Sequence, residues 1–342
     1  MPMATIYELN DEQAYEAEIS QCVGVTGYHH WFFLSALADA FNYEFRAFSV
    51  DSGGERLGVA PLLFRRRGPV STVNFLPVGP TGPLLRGEAM RAGRIGELIR
   101  GLAPVLRRHR TVATRWDFSP EINVNTDDLA AQGFEVFKWE SFVIPATKSV
   151  DDCWKAMSTG RRQSIKKTEA RGVVVEDSTP EEITQWFPEQ MSDLYERQGR
   201  LPLYSSAVIR SLTQRLAAHP RMLWRSAKAE DGTVLGMTAS VIGDERLWGW
   251  QIVGPSVRSM SPHTLLHWDS FKWSLARELA YDMGGVPHEG IRVIKASLGA
   301  ELETGMQAFQ FRPGAAYKAV TALRNWGPVR DNWDLVRRVM GG

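Results

Sequence analysis

Apolar residues recur along this chain in two rhythms. Ile95, Leu98, Ile99, Leu102 and Leu106 fall three or four apart and predict an amphipathic helix over 88–108. Segment 28–41 is so rich in Trp, Phe, Leu and Ala that it predicts a buried helix. Period-two alternation predicts strands over 44–50 and 56–64 about the turn Asp51-Ser52-Gly53-Gly54, which makes a hairpin. Further strands are expected at 70–76, 111–118 and 135–144, and helices at 11–22 and 126–132. After Pro145 the order begins again. Helices at 150–157 and 161–171 lead to a strand at 173–176, then helical segments over 180–198 and 206–218. A second hairpin, 222–229 with 234–242, turns at Asp231-Gly232, a strong turn dipeptide. A strand at 246–252, a helix at 262–279, a strand at 281–283, a closing strand at 306–311 and a helix-turn-helix tail over 317–340 complete the chain.

The two hairpins carry the same mark. Gly54-Glu55-Arg56-Leu57-Gly58 and Gly232-Thr233-Val234-Leu235-Gly236 place Leu-Gly at one offset from the turn glycine, at a domain-sized interval. Two copies of one α/β unit follow.

Composition narrows the classes. The chain has 342 residues, 44% hydrophobic and 23% charged, enough for two ordinary globular domains. No apolar run reaches the length of a membrane span, and the first 21 residues are polar and acidic, unlike a signal peptide, so a soluble cytoplasmic protein is expected. Cys22 and Cys153 are far apart and have no redox or metal spacing; both are expected to pack. His263 and His267 sit four apart, but Leu266 stands where a zinc protease needs glutamate, so no metal is expected. The net charge is +1, yet arginine clusters locally at 65–67, at 107–110 and, with Lys166, Lys167 and Arg171, at Arg161-Arg162. Solvated helix faces account for most such clusters.

Candidate chemistry centres on 279–299. Asp282 ends a short strand, where a carboxylate can accept amide or substrate hydrogen bonds, and Gly284, Gly285 and Gly290 predict a loop leading to Lys295, one of nine lysines. A plain strand-to-loop turn with a solvated lysine fits the residue types as well.

Tyr281-Asp282-Met283-Gly284-Gly285-Val286, with Gly290, Lys295 and Gly299 in the run that follows, resembles the C-terminal signature of the Fem (FemABX) aminoacyl-tRNA-dependent transferases. Pro77-Val78-Gly79-Pro80, Trp116-Asp117-Phe118-Ser119-Pro120 and the basic segment 161–173 are similar to further family segments, in the same order. The resemblance implies an α/β (α+β) chain of two tandem GNAT-like domains with mixed sheets flanked by helices. The first would span 1–145 with about 320–342, and the second 146–319. It implies an aminoacyltransferase that forms an amide when an acceptor amine attacks the ester of aminoacyl-tRNA, with tRNA as co-substrate, no cofactor and no DNA partner. The acceptor would be a small amine or peptide of antibiotic metabolism, or a peptidoglycan precursor. Ile294 and Leu298 stand where the family usually has phenylalanine, and this favours the soluble amine.

By that resemblance Lys295 steadies the oxyanion or the terminal phosphate of tRNA, and Asp117 is a general base or an anchor for the acceptor amine. Asp282, Gly284 and Gly285 shape the site. Arg197 and Tyr204 match residues that contact an acceptor diphosphate, while Trp250 and Gln251 lie on the strand beside the cleft. Arg161, Arg162, Lys166 and Lys167 would contact tRNA. No sustained heptad run is present, as expected of the compact members. Two other classes stay open: an acyl-CoA-dependent N-acyltransferase and a non-catalytic binding module. The first needs bare amides for the pyrophosphate, and Pro255 and Pro262 remove two of them from Gly254–Pro262.

Overall fold

The computed structural model describes residues 4–75, 78–197, 205–257, 260–286 and 289–311. In chain order the elements are β1 (Thr5–Leu9), α1 (Glu12–Ile19), β2 (Cys22–Val23), α2 (Trp31–Phe41), β3 (Glu44–Ser52), β4 (Glu55–Arg67), β5 (Val70–Val73) and β6 (Leu84–Arg86). Three short helices follow, α3 (Gly87–Arg91), α4 (Ile95–Gly101) and α5 (Ala103–Arg108), then β7 (Thr111–Asp117), α6 (Thr126–Ala131) and β8 (Glu135–Ile144). Next come α7 (Val150–Ala156), α8 (Thr159–Glu169), β9 (Val174–Asp177), a π turn over Glu182–Trp186, α9 (Phe187–Arg197), α10 (Ser206–Leu216), β10 (Met222–Lys228) and β11 (Val234–Ile242). The last are β12 (Arg246–Val253), α11 (Pro262–Leu275), β13 (Ala280–Gly285), α12 (Glu289–Ser297) and β14 (Glu301–Phe311).

These elements form two compact units, one running to Trp139 and resuming at Gly305, the other Glu140–Thr304. The chain passes from one to the other inside β8 and returns inside β14. In the first unit the strand order is β1-β3-β4-β5-β7-β14. Its neighbours are antiparallel except β5 and β7, which are parallel. In the second the order is β9-β10-β11-β12-β13-β8, with β12 and β13 the parallel pair. Each unit is thus a six-stranded mixed sheet with its parallel pair in the same place.

The repeated Leu-Gly falls on the third strand of each sheet, β4 and β11, and both glycines are places of close approach. A Cβ on Gly58 would overlap the carbonyl oxygen of Leu84 in β6, and one on Gly236 would lie 3.2 Å from Leu266 Cδ1 on α11. The first unit packs Val50, Leu57, Leu62, Phe64, Leu98 and Trp116 into its core; the second packs Ile144, Ile165, Leu247, Leu266, Phe271 and Tyr281. Both cores take alternate residues from strands and one stripe from each helix, which is why the periodicity is readable.

Three expectations need correction. The helix expected over 88–108 is three helices, because Gly93 adopts φ +66° and Pro104 opens α5. β1, β2 and β6 lack alternation long enough to register in the sequence; β1 leaves its residues at the half-exposed sheet edge. The glycine-rich loop expected before Lys295 is mostly α12, and Lys295 sits on it. The expected tail over 317–340 lies outside the described residues, and no helix among those described is long and apolar enough to cross a membrane.

Replacing Gly58 by alanine forces β4 and β6 apart and is expected to destabilise the protein by about 1–3 kcal/mol. Gly236→Ala meets only the end of a flexible leucine and should cost less. Thermal melts of the two variants check the order; equal losses would contradict it.

Candidate functional site

The parallel pairing of β12 with β13 runs through Arg246 with Ala280, Leu247 with Tyr281 and Trp248 with Asp282, and stops there. Beyond that point β12 continues beside β11 and β13 beside β8, so the two strands part and leave a fork. Gly249 lets them come together before parting, since a Cβ there would sit 2.8 Å from the Asp282 carbonyl oxygen. Gly284, at φ +79°, then bends β13 in a way that other residues resist.

That bend aims three carbonyls at one cation. Lys295 Nζ donates to the carbonyl oxygens of Met283 at 2.7 Å, Gly284 at 2.6 Å and Gly285 at 2.8 Å. An ammonium has three protons, and all three are used. The side chain is 7% exposed, and burial lowers its pKa to about 8, opposed by the negative charge of Asp282. The expected solvated or loop lysine is therefore a buried one projecting from a helix. Ile291, Ile294 and Leu298, at helical spacing, are the available signal, masked by the glycines before them.

Asp282 is the counter-charge. Its carboxylate accepts from Ser141 Oγ, from the Gly284 amide at 2.7 Å and from Arg246 Nη1 at 3.5 Å. Burial raises its pKa, against the bonds from Ser141 and Gly284. Arg246 is held in turn by Glu303 at 2.7 Å. Sequence reasoning passes over Ser141 and Arg246, which have no local signature. Gly249, between two tryptophans in a strand, does carry one.

On the α11 side of the fork, His267 Nδ1 lies 3.3 Å from the Tyr281 hydroxyl. Burial, with the Lys295 charge nearby, pushes its pKa down to about 3, so the imidazole is neutral at ordinary pH. Arg161, on α8, turns inward: Nε donates to Ser297 Oγ at 2.9 Å and Nη1 to Thr264 Oγ1 at 3.4 Å. Arg162 caps α7, with Nη1 on the carbonyls of Trp154, Lys155 and Met157 at 3.2, 3.1 and 2.7 Å. Only Lys166 and Lys167 of the four basic candidates point outward. The Lys166 ammonium lies 5.9 Å from the Trp154 ring centre.

The remaining candidates are spread out. Trp250 is half-buried with its ring 6.1 Å from both Phe187 and Trp224, an aromatic cluster under α9. Gln251 pairs with Ala239 of β11, and its carbonyl accepts from Thr238 Oγ1 at 3.2 Å. Arg197 ends α9 and donates from Nη2 to the Gly254 carbonyl at 3.0 Å. Tyr204 lies outside the described residues. Asp117 belongs to the first unit, where Arg115 Nε stands 2.8 Å from its Oδ2 and Gln307 donates to Oδ1. Its carbonyl takes the Gly82 amide at 2.8 Å. His29, which sequence reasoning misses, bonds Gly82 O through Nε2 at 2.9 Å and receives the Thr26 amide on Nδ1 at 3.0 Å. Burial holds His29 neutral, its pKa lowered to about 4.

The turn before α11 is a poor cradle for a pyrophosphate. Among its described residues, Pro255 and Pro262 have no amide proton, the Ser261 amide is donated to Thr168 Oγ1 at 2.9 Å, and the Met260 amide points to Val257 O at 3.5 Å.

The lowered pKa of Lys295 fixes the sign of a pH effect. Between about pH 8 and the ordinary lysine range the unfolded chain holds one proton more than the folded one, so folding stability conferred by this site rises with pH there. Denaturant titrations of wild type and Lys295→Met at pH 7, 9 and 10 should show the wild type gaining on the variant above pH 8, and no pH-dependent difference below it. A constant gap across the series would exclude a buried, titrating ammonium.

Residues 156–291, all within the second unit, match the family model of the acetyltransferase (GNAT) domain. No curated protein sequence matches the chain. Among solved structures, FemX superposes with a TM-score of 0.71 at 14% identity, covering 92% of this chain and 99% of that one. L-PGS from Bacillus licheniformis gives 0.55 at 13% identity, with 97% and 98% covered. A tandem GNAT protein from the clavulanic acid biosynthesis pathway gives 0.52 at 14%, with 91% and 100% covered. At such identities the likeness is one of fold: this chain has a mixed α/β, tandem GNAT-like architecture, and its second unit carries a GNAT-type acyltransferase domain.

Proposed function

We propose that the protein is an aminoacyltransferase that forms an amide between the aminoacyl group of a charged tRNA and the amine of a small or peptidic acceptor. The observation that carries this reading is the buried ammonium of Lys295 at the mouth of the β12–β13 fork, with Asp282 as its counter-charge. The likeness to FemX over nearly the whole chain supports it.

Attack of a neutral amine on the ester forms the C–N bond and puts negative charge on the carbonyl oxygen. Collapse of that intermediate expels the ribose hydroxyl oxygen, which takes up the proton that the amine loses. No ATP is required because the ester is already activated. A fixed positive charge beside the developing oxyanion lowers the barrier without reorganising at the moment of reaction. Lys295 supplies that charge, and since its three protons are given to carbonyls it acts through its field in a poorly solvated place. Asp117, already paired with Arg115, serves better as an anchor for the acceptor amine than as a free base. Lys166 and Lys167 meet the tRNA backbone, and Arg161 and Arg162 hold the helix that presents them. The acceptor belongs to secondary metabolism more readily than to cell-wall synthesis, given Ile294 and Leu298 beside the lysine.

The GNAT domain match favours a second reading, N-acyl transfer from acyl-CoA. The blocked amides before α11 weigh against it.

Product formation from charged tRNA against a panel of amines, with and without ribonuclease, decides between them. Ribonuclease should abolish turnover; turnover on acyl-CoA without tRNA would overturn the tRNA reading. Lys295→Met should lower kcat by about 100-fold or more, the scale of losing one oxyanion-stabilising group, and leave acceptor affinity within a few-fold. An unchanged kcat would remove Lys295 from the chemistry.

Neutralising Lys166 and Lys167 together as glutamines should flatten the plot of log Kd for tRNA against log salt by roughly 0.7–0.9 for each phosphate left without its lysine. An unchanged slope would place the tRNA elsewhere.

A further inference from the structure

The second unit has a cleft of about 290 Å³ away from the fork, lined by Trp186, Gln190, Asp193, Glu196, Arg197, Val234 and Pro255. Trp186, Gln190, Asp193 and Arg197 are spaced four, three and four residues apart and form one stripe along the π turn and α9, on the side away from the buried Phe187 and Met191. Val234 and Pro255 close the opposite wall.

The chemistry of this lining is one-sided. Arg197 is turned to protein carbonyls, with Nη2 on Gly254 O at 3.0 Å and Nε on Asp193 O at 3.3 Å. Among the described residues no cation pairs with Asp193 or Glu196; the only side-chain partner of Asp193 is Gln190 at 3.5 Å. Two carboxylates without counter-ions beside a half-buried indole attract an ammonium group on an apolar stem, through charge and the ring face together. A diphosphate would meet the same carboxylates as repulsion.

The cleft is also connected to the fork. β12 starts in the fork and leads through Val253 and Gly254 to Pro255 in the cleft wall, and the six residues from Gly249 to Pro255 span at most about 20 Å. We propose that this cleft is an acceptor subsite for a second ammonium group, so that the acceptor is an extended polyamine-like or lysine-bearing molecule anchored at one end and acylated at the other. This rests on the aminoacyl-transfer reading for its second half only; the cation site stands on its own lining.

Isothermal titration of the full chain with spermidine, in the absence of tRNA, tests the site directly. Wild type should bind, the double variant Asp193→Asn with Glu196→Gln should bind at least tenfold more weakly, and Trp186→Ala should also weaken binding. These side chains are on the surface, so circular dichroism should show all variants folded. UDP-N-acetylglucosamine should not compete. Failure of wild type to bind spermidine, equal binding by the double variant, or tight binding of the nucleotide sugar would overturn the proposal. Spermidine binding that depends on the carboxylates in a protein whose turnover ignores ribonuclease would keep the cation site and discard the tRNA reading.

Discussion

A buried ammonium whose three protons all go to the carbonyls of one bent strand end governs the second unit of this protein. Taking a lysine out of water is costly, and the cost is offset only where charge-assisted hydrogen bonds, about 1.5–3 kcal/mol each, and a counter-charge replace the lost solvation. Met283, Gly284 and Gly285 supply the bonds and Asp282 the charge. Asp282 in turn needs Ser141, the Gly284 amide and Arg246, and Arg246 needs Glu303. Removing any member leaves another buried group unpaired. The network therefore holds β13, β8, β12 and α12 in one arrangement.

The same network suits the fork to acyl chemistry in a GNAT-like domain whose pyrophosphate cradle is spoiled. Two strands that part give access to backbone and side chains otherwise hidden in a sheet. A fixed cation there favours a developing oxyanion over a neutral ester. Neutral His267 on the opposite side adds no second positive charge, so the field at the mouth comes chiefly from Lys295 and the more distant Arg161. The first unit has its own pinned aspartate, Asp117, held by Arg115, Gln307 and, through the Gly82 amide, the segment that His29 fastens.

Basic residues in this chain divide by task. Arg161 and Arg162 are candidates for nucleic acid on sequence grounds, but their guanidinium forks match carbonyl and hydroxyl groups of neighbouring helices and are used there. Lys166 and Lys167, one turn further along α8, face outward. A basic run on a helix cannot all face one way, since adjacent residues differ by about 100° around the axis.

The sequence alone determined the order of nearly all the elements, the two hairpins and the duplicated unit, because alternation and helical spacing record which faces meet a core. It singled out Asp282, Gly284 and Lys295 through a family signature, and Gly249 was legible as a glycine within an aromatic strand. Whether Lys295 is solvated or buried could not be read from it: that depends on Gly284 bending β13 until three carbonyls converge on a side chain ten to twelve residues later. Ser141, Arg246 and His29 were invisible for the same reason, being functional only through partners 141, 36 and 53 residues away in sequence. Tertiary structure also settled which of Arg161, Arg162, Lys166 and Lys167 turn inward, and it set Asp193 and Glu196 around a cleft. Periodicity records burial, whereas the partner of a polar group is chosen only when distant segments meet.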